Sequence, residues 1–142
     1  MTDKTAPESV PPAAHTWRPE RFMVIVAHPD DADFGPADVK VAQIYDAFSP
    51  LIPLSLEGYG FCQRGEGAEF TSDGRLEWPN GALPVNTSGG GMSEAYVHGF
   101  NLISEGVRQM RGTSTSQVDG ADTCLVTSGE GVPTSALLLR RP

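Results

Sequence analysis

The sequence predicts an α/β domain, because strand-like and helix-like patterns alternate along it. Residues 83–111 combine a short apolar segment, a glycine-rich loop and a long amphipathic pattern, which indicates a strand, a turn and a helix. Residues 39–45 alternate between apolar and polar side chains, and residues 121–127 and 134–140 form two further apolar runs. This alternation is typical of a sheet covered by helices. We therefore expect a mixed sheet with flanking helices.

Composition limits the classes of function. The chain has 142 residues and a formal net charge of −8, so it is long enough for one core and lacks the basic face that nucleic acid requires. No apolar run approaches the roughly 20 residues of a membrane span, and the polar, proline-rich start lacks the apolar segment of a secretory signal. Cys62 and Cys124 match neither a metal pattern nor a disulfide framework. We expect a cytoplasmic protein that binds neither nucleic acid nor membranes.

The first half of the chain is predicted from local signals. Prolines and small polar residues indicate a disordered tail over residues 1–20, and the β-branched run at 21–27 indicates a buried strand. Ser49 and Pro50 suit the N-cap and first position of a helix over residues 50–61. The polar stretch that follows predicts irregular structure.

The glycine-rich loop is the first candidate for a ligand site. Ser88, Gly89, Gly90 and Gly91 let the backbone approach a ligand closely, because glycine has no Cβ. With Ser93 as its N-cap, the following helix would point its free N–H groups at an anion or a developing oxyanion.

The helix predicted over residues 93–111 places two polar rings near its start. Tyr96 and His98 fall in its first turn, and Gly112 suits its C-terminal end. Four residues recur at helical spacing and should face a core: Leu102, Ile103, Val107 and Met110.

The same region carries a family resemblance. It contains a Pro-Val-Asn-Thr-Ser-Gly-Gly segment at 84–90, an Ala-Tyr-Val segment at 95–97 and a Gln-Met-Arg-Gly segment at 109–112. These segments resemble motifs in the C-terminal half of thiolases, and more narrowly those of the lipid-transfer or sterol-carrier branch. The resemblance spans about residues 38–140. It implies a thiolase-like C-terminal half-fold that handles CoA thioesters and requires no cofactor.

Two tyrosines depart from the thiolase pattern. Tyr45 stands where the His-Asp-x-Phe loop of the family has its histidine, and Tyr96 stands where the Gly-His-Pro motif has another. The place of the second catalytic cysteine falls near Thr127 or Ser128. A tyrosine pair at these places resembles the thiolase-fold aldolases of sterol side-chain degradation, which split a β-hydroxyacyl-CoA into a ketone and a shorter acyl-CoA.

The aldolase resemblance implies roles for individual residues. Tyr45 and Tyr96 would be the catalytic pair, because retro-aldol cleavage needs a base for the β-hydroxyl proton and an acid for the enolate carbon. His98 is a candidate neighbour that would lower the pKa of a tyrosine base. The residues expected to bind substrate are Ser88, Gly89, Gly90, Gly91 and His98.

A second, shorter resemblance precedes the first. The strand-like run and the Ala-His-Pro-Asp-Asp loop at 22–37 resemble the zinc-dependent deacetylases of the LmbE-like (PIG-L) family. That resemblance implies His28 and Asp31 as zinc ligands and Asp30 as base, although no third ligand motif follows. The domains expected are a tail at 1–20, this motif at 21–37 and a thiolase-like domain at 38–142.

Three functions stay open at this level. The first is a fragment of a thiolase-fold acyltransferase or aldolase, incomplete alone because the nucleophilic cysteine of thiolases lies in the N-terminal half. It would act on acyl-CoA in a homo- or hetero-oligomer, with a thiolase N-terminal half or an OB-fold partner protein. The second is a non-catalytic acyl-CoA-binding or assembly module. The third is the remnant of a zinc-dependent deacetylase.

Overall fold

A computed structural model of the chain describes residues 35–129 and 135–141. These residues contain a three-stranded sheet of order β1-β2-β3. Strand β1 (Val41–Gln43) runs parallel to β2 (Thr123–Ser128), and β3 (Ser135–Arg140) runs antiparallel to β2. The sheet is therefore mixed, as the sequence predicts. The predicted N-terminal tail and first strand lie outside the described residues.

The helices are short except for one. A 3-10 turn covers Pro36–Asp38, and the α-helices are α1 (Leu51–Gly58), α2 (Gly67–Phe70), α3 (Gly90–Ser93) and α4 (Phe100–Arg111). Within the described ranges, none of these helices has the length and apolar character needed to cross a bilayer.

A single β-bridge stands where the sequence predicts a strand at 83–86. Val85 bridges to Ala42 in parallel orientation. The N–H of Ala42 donates to the Pro84 carbonyl at 3.0 Å, and the N–H of Asn86 donates to the Ala42 carbonyl at 2.9 Å. This segment lies beside β1, so the glycine-rich loop that follows it lies near the end of that strand.

Two buried clusters cover the two faces of the sheet. Successive strand residues point to opposite faces, so Val41 joins one cluster and Ala42 joins the other. The first cluster also contains Leu102 and Met110 of α4, and the second contains Leu56 of α1. Tyr45 packs against the first cluster.

Glycine at position 106 sets how closely α4 approaches the sheet. A Cβ at Gly106 would lie 2.8 Å from Val126 Cγ2 and 3.0 Å from Leu139 Cδ1. A larger residue would therefore push α4 away from β2 and β3.

The helix predicted over residues 93–111 is divided in two, and the prediction of its start at Ser93 is wrong. Glu94 is extended, and the backbone of His98 and Gly99 is left-handed with φ of 44° and 84°. Each of these conformations interrupts a right-handed helix. Tyr96 and His98 consequently lie in the connection between α3 and α4.

The other end of this helix agrees with the sequence. Gly112 is left-handed with φ of 69°, and its N–H donates to the Gln109 carbonyl at 3.2 Å. Leu102 and Met110 are buried and Val107 is partly buried, as predicted. Ile103 is more exposed than predicted, because it faces a cleft.

Candidate active site

The structure brings the two predicted tyrosines together. Tyr45 follows β1, Tyr96 lies in the connection before α4, and their hydroxyl oxygens are 2.5 Å apart. The ring centroids are 6.5 Å apart with the planes tilted by 47°. Tyr45 is half-buried, whereas Tyr96 is 47% exposed. The pair is thus anchored on one side and open to a ligand on the other, while its catalytic role stays a prediction.

His98 stands beside this pair. Its ring centroid lies 5.1 Å from that of Tyr96, and the side chain is exposed. A positive φ costs energy in a residue other than glycine, and such conformations cluster at functional sites. The unusual backbone of His98 therefore agrees with the predicted binding role without testing it.

A cleft opens next to Tyr45. It encloses about 560 Å³, and its wall combines apolar and hydroxyl side chains. Thr127 and Ser128, the residues near the expected place of a thiolase cysteine, line it. The other lining residues include His98, Phe100, Ile103, Val126, Ala136 and Leu137.

The segment that carries Tyr45 is held on both sides. Asn86 accepts the N–H of Ile44 through Oδ1 at 2.7 Å and donates from Nδ2 to the Ile44 carbonyl at 2.9 Å. The N–H of Tyr45 donates to Thr127 Oγ1 at 3.1 Å. Asn86 therefore acts as a one-residue extension of the sheet, a role that the residue types alone did not reveal.

The glycine-rich loop makes internal contacts. The N–H of Gly89 donates to the Asn86 carbonyl at 2.7 Å, and the N–H of Gly91 donates to Asp46 Oδ1 at 2.7 Å. Ser88 Oγ donates to Glu94 Oε2 at 2.7 Å. The N–H groups of Gly89 and Gly91 already donate to acceptors inside the protein. They are therefore not available to donate to an oxyanion in this conformation, contrary to the expectation from the sequence. The binding role predicted for Ser88 and the three glycines stays untested.

The pKa of both thiols in the described residues is raised. Burial raises the pKa of the Cys124 thiol far above its usual range, and the nearby Glu105 carboxylate raises it further. Burial also raises the pKa of Cys62, with additional contributions from Glu57 and Glu66. The thiolate is the reactive form of cysteine, so a raised pKa lowers reactivity. Cys124 lies in the first buried cluster, and we interpret it as a core residue.

The predicted zinc ligands His28 and Asp31, together with Asp30, lie outside the described residues. Within residues 35–129 and 135–141, no group of three or more His, Cys, Asp or Glu side chains is arranged to hold a metal ion.

The mixed sheet, the glycine-rich loop at its edge and the helix that covers it define a thiolase-type α/β domain. Residues 28–139 match the thiolase C-terminal domain-like family, and the chain belongs to that family. The match begins at His28, inside the segment that resembles the deacetylases, and the deacetylase interpretation gains no support from it.

Three similar proteins are named as lyases or aldolases, and one of these names specifies steroid side chains. The chain is 54% identical over 104 residues to 17-hydroxy-3-oxo-4-pregnene-20-carboxyl-CoA lyase of Mycobacterium tuberculosis, covering 73% of this chain and 27% of that protein. It is 52% identical over 104 residues to the steroid side-chain-cleaving aldolase of Thermomonospora curvata, covering 73% of this chain and 26% of that protein. A solved structure, the Ltp2-ChsH2(DUF35) aldolase, superposes with a TM-score of 0.72 at 50% identity, covering 76% of this chain and 28% of that chain.

The chain spans about a quarter of the length of these relatives. The similarity confirms the thiolase-like interpretation and the likeness to sterol side-chain aldolases. It does not extend to the remaining three quarters of those proteins.

Proposed function

We propose that this chain supplies one wall of the active site of a thiolase-fold aldolase that cleaves β-hydroxyacyl-CoA thioesters. The observation that carries the proposal is the 2.5 Å contact between the hydroxyls of Tyr45 and Tyr96 beside an open cleft. The relatives named as a steroid acyl-CoA lyase and a steroid side-chain-cleaving aldolase support the same chemistry.

The proposed reaction needs one base and one acid. A tyrosinate takes the proton of the β-hydroxyl, the carbinol becomes a carbonyl, and the Cα–Cβ bond breaks. The electron pair of that bond passes to the thioester as an enolate, which a phenol then protonates at Cα. The products are a ketone and a shortened acyl-CoA, and the two tyrosines together neither gain nor lose a proton.

The hydrogen-bonded pair suits this exchange. Either hydroxyl can donate to the other, so the proton that the tyrosinate accepts can pass to its neighbour once that neighbour has protonated Cα. A phenol with an ordinary pKa near 10 is almost fully protonated at neutral pH, so little of the basic phenolate is present unless a neighbour stabilises it. We assign His98, whose ring lies 5.1 Å from that of Tyr96, the role of stabilising the tyrosinate and of donating to the thioester oxyanion.

The cleft provides the binding surface for the acyl group. Phe100, Ile103 and Leu137 line it with apolar side chains, and Thr127 and Ser128 add hydroxyls. A flat, largely apolar acyl group with a few oxygens, such as a sterol side chain attached to its ring system, matches such a wall.

The matched residues of this chain cover about a quarter of each relative, so the proposed site needs further parts of the thiolase fold. A thiolase N-terminal half and an OB-fold protein are the expected partners, in a hetero-oligomer that binds acyl-CoA. The name of the similar structure combines two components, Ltp2 and ChsH2(DUF35), which supports assembly with a second protein. Cys62 and Cys124 are free thiols, in agreement with the cytoplasmic location that the sequence predicts.

A second candidate is a non-catalytic acyl-CoA-binding or assembly module. Several large exposed apolar side chains lie within four positions of Tyr45 or Tyr96 in the chain: Phe48, Met92, Val97 and Phe100. Exposed apolar surface can mark an interaction site, and these side chains favour assembly whether or not the complex turns substrate over.

One assay separates the two candidates. A β-hydroxyacyl-CoA with a tertiary β-carbon is incubated with this chain, with and without a co-expressed thiolase N-terminal half and OB-fold partner. Release of the ketone by the complex supports the aldolase. Saturable binding of the CoA thioester without ketone release supports the module and contradicts the aldolase.

A further inference from the structure

Asp46 joins the two segments that carry the tyrosines. It follows Tyr45 directly and is 2% exposed. Its Oδ1 accepts the N–H of Gly91 at 2.7 Å, and its Oδ2 is 3.4 Å from the N–H of Met92. Within the part of the chain that the structure describes, no lysine, arginine or histidine forms an ion pair with this carboxylate.

The loop is shaped to receive this carboxylate. Gly90 has a φ of 65°, and a Cβ there would collide with Asp46 Oδ2. A Cβ on Gly91 would lie 2.9 Å from Asp46 Oδ1 and 3.2 Å from Tyr96 Cδ2. The backbone of Gly91 therefore lies between the Asp46 carboxylate and the edge of the Tyr96 ring.

This arrangement links the two phenols through a short path. Tyr45 and Asp46 are neighbours in the chain, Asp46 fixes Gly91, and the Tyr96 ring packs against Gly91. A carboxylate can accept both amides at once, whereas an asparagine has only one acceptor oxygen.

We propose that Asp46 is a positioning residue that sets the contact between the hydroxyls of Tyr45 and Tyr96. It does so by holding the turn of α3 against the end of β1. The role in catalysis rests on the proposed aldolase function, but the geometry can be measured without it.

The geometric test uses fluorine NMR of the full chain. The chain contains three tyrosines, so in a Tyr59→Phe background 3-fluorotyrosine labels only Tyr45 and Tyr96. We expect a fluorine–fluorine Overhauser contact between the two rings. Asp46→Asn should abolish this contact and shift both resonances toward their positions in the denatured chain. The control Asp119→Asn removes an exposed carboxylate and should change neither. A folded Asp46→Asn variant that keeps the contact overturns the proposal.

A measurement on the unsubstituted chain decides the question if Asp46→Asn does not fold. The Gly91 amide should exchange with solvent much more slowly than in the denatured chain, because Asp46 accepts its proton. Exchange of the Gly91 amide at the denatured rate overturns the proposal.

The catalytic test measures kcat and KM of the complex assembled with this chain. Asp46→Asn should lower kcat by about 100-fold, as expected for a misplaced reacting group, with little change in KM. An unchanged kcat overturns the positioning role. If the complex without substitutions releases no ketone, the proposed function fails, and the NMR result still decides whether Asp46 positions the pair.

Discussion

The hydroxyl oxygens of Tyr45 and Tyr96 lie 2.5 Å apart although 51 positions separate the residues in the chain. Two phenols that share one hydrogen bond should act as a unit. We predict that Tyr45→Phe and Tyr96→Phe each lower kcat of the assembled complex by about 100- to 10,000-fold. The double variant should lose little more than the worse single variant, because residues that act together are not additive. Multiplicative losses in the double variant would show that the two hydroxyls act independently.

The buried Glu105 carboxylate is predicted to be a major contributor to stability. It is 2% exposed, and its Oε1 accepts from Thr87 Oγ1 at 2.6 Å, Ser114 Oγ at 2.7 Å and Gln109 Nε2 at 2.9 Å. Glu105→Met leaves three donors without this acceptor and should lower the free energy of unfolding by about 3 kcal/mol or more. Urea unfolding measures the change.

The matched control for this stability prediction is Glu69→Met. Glu69 is exposed, and surface substitutions usually change stability by less than about 0.5 kcal/mol. Equal effects of the two substitutions would contradict the importance of the Glu105 network.

The two cysteines should differ in reactivity. Burial raises the pKa of Cys124 strongly and that of Cys62 less. At pH 8 we expect iodoacetamide to label Cys62 slowly and to label Cys124 only after unfolding. Mass spectrometry of the labelled peptides measures both, and Cys62→Ser should leave the folded chain unlabelled. Rapid labelling of Cys124 in the folded chain would be incompatible with its position in the core.

The Glu57 carboxyl should make the free energy of unfolding fall as the pH is lowered into the acid range. The backbone N–H groups of Gly65 and Gly67 lower the pKa of its carboxyl below the ordinary 4.5, and Gly67 donates to Oε1 at 2.9 Å. The folded state therefore favours the carboxylate. Its contribution is complete above pH 4.5 and is lost as the pH falls through the lowered value.

The measurement for Glu57 compares thermal unfolding of the unsubstituted chain and Glu57→Gln across pH. The difference in Tm should be present at pH 7 and vanish in acid. Glu69→Gln changes an exposed side chain and serves as the surface control. A difference for Glu57→Gln that grows as the pH falls would contradict the sign of the pKa shift.

Much of the sheet could be predicted because its signals are local. Alternation over residues 39–45 and the apolar runs near β2 and β3 reflect side chains that face two buried clusters. Gly112 predicts the end of α4, because the position after a helix often has a left-handed backbone that glycine adopts most easily. The position of the tyrosine pair followed from a family resemblance and agrees with the geometry.

The division of the predicted helix at 93–111 could not be predicted in this way. The loop is shaped by Asp46, which lies 45 positions before Gly91 in the chain, and by Asn86, which holds Ile44. Tertiary contacts of this kind override local helix propensity. The engagement of the Gly89 and Gly91 amides follows from the same contacts, so a glycine-rich loop alone was a poor guide to free donors.

The most direct test of the central claim is ketone release from a β-hydroxyacyl-CoA by the complex assembled with this chain. The unsubstituted chain and Tyr59→Phe should both support release, because Tyr59 packs against the second cluster and not against the first, where Tyr45 lies. Tyr96→Phe should reduce release by at least about 100-fold while CoA-thioester binding persists. Full activity of the Tyr96→Phe complex would contradict the account.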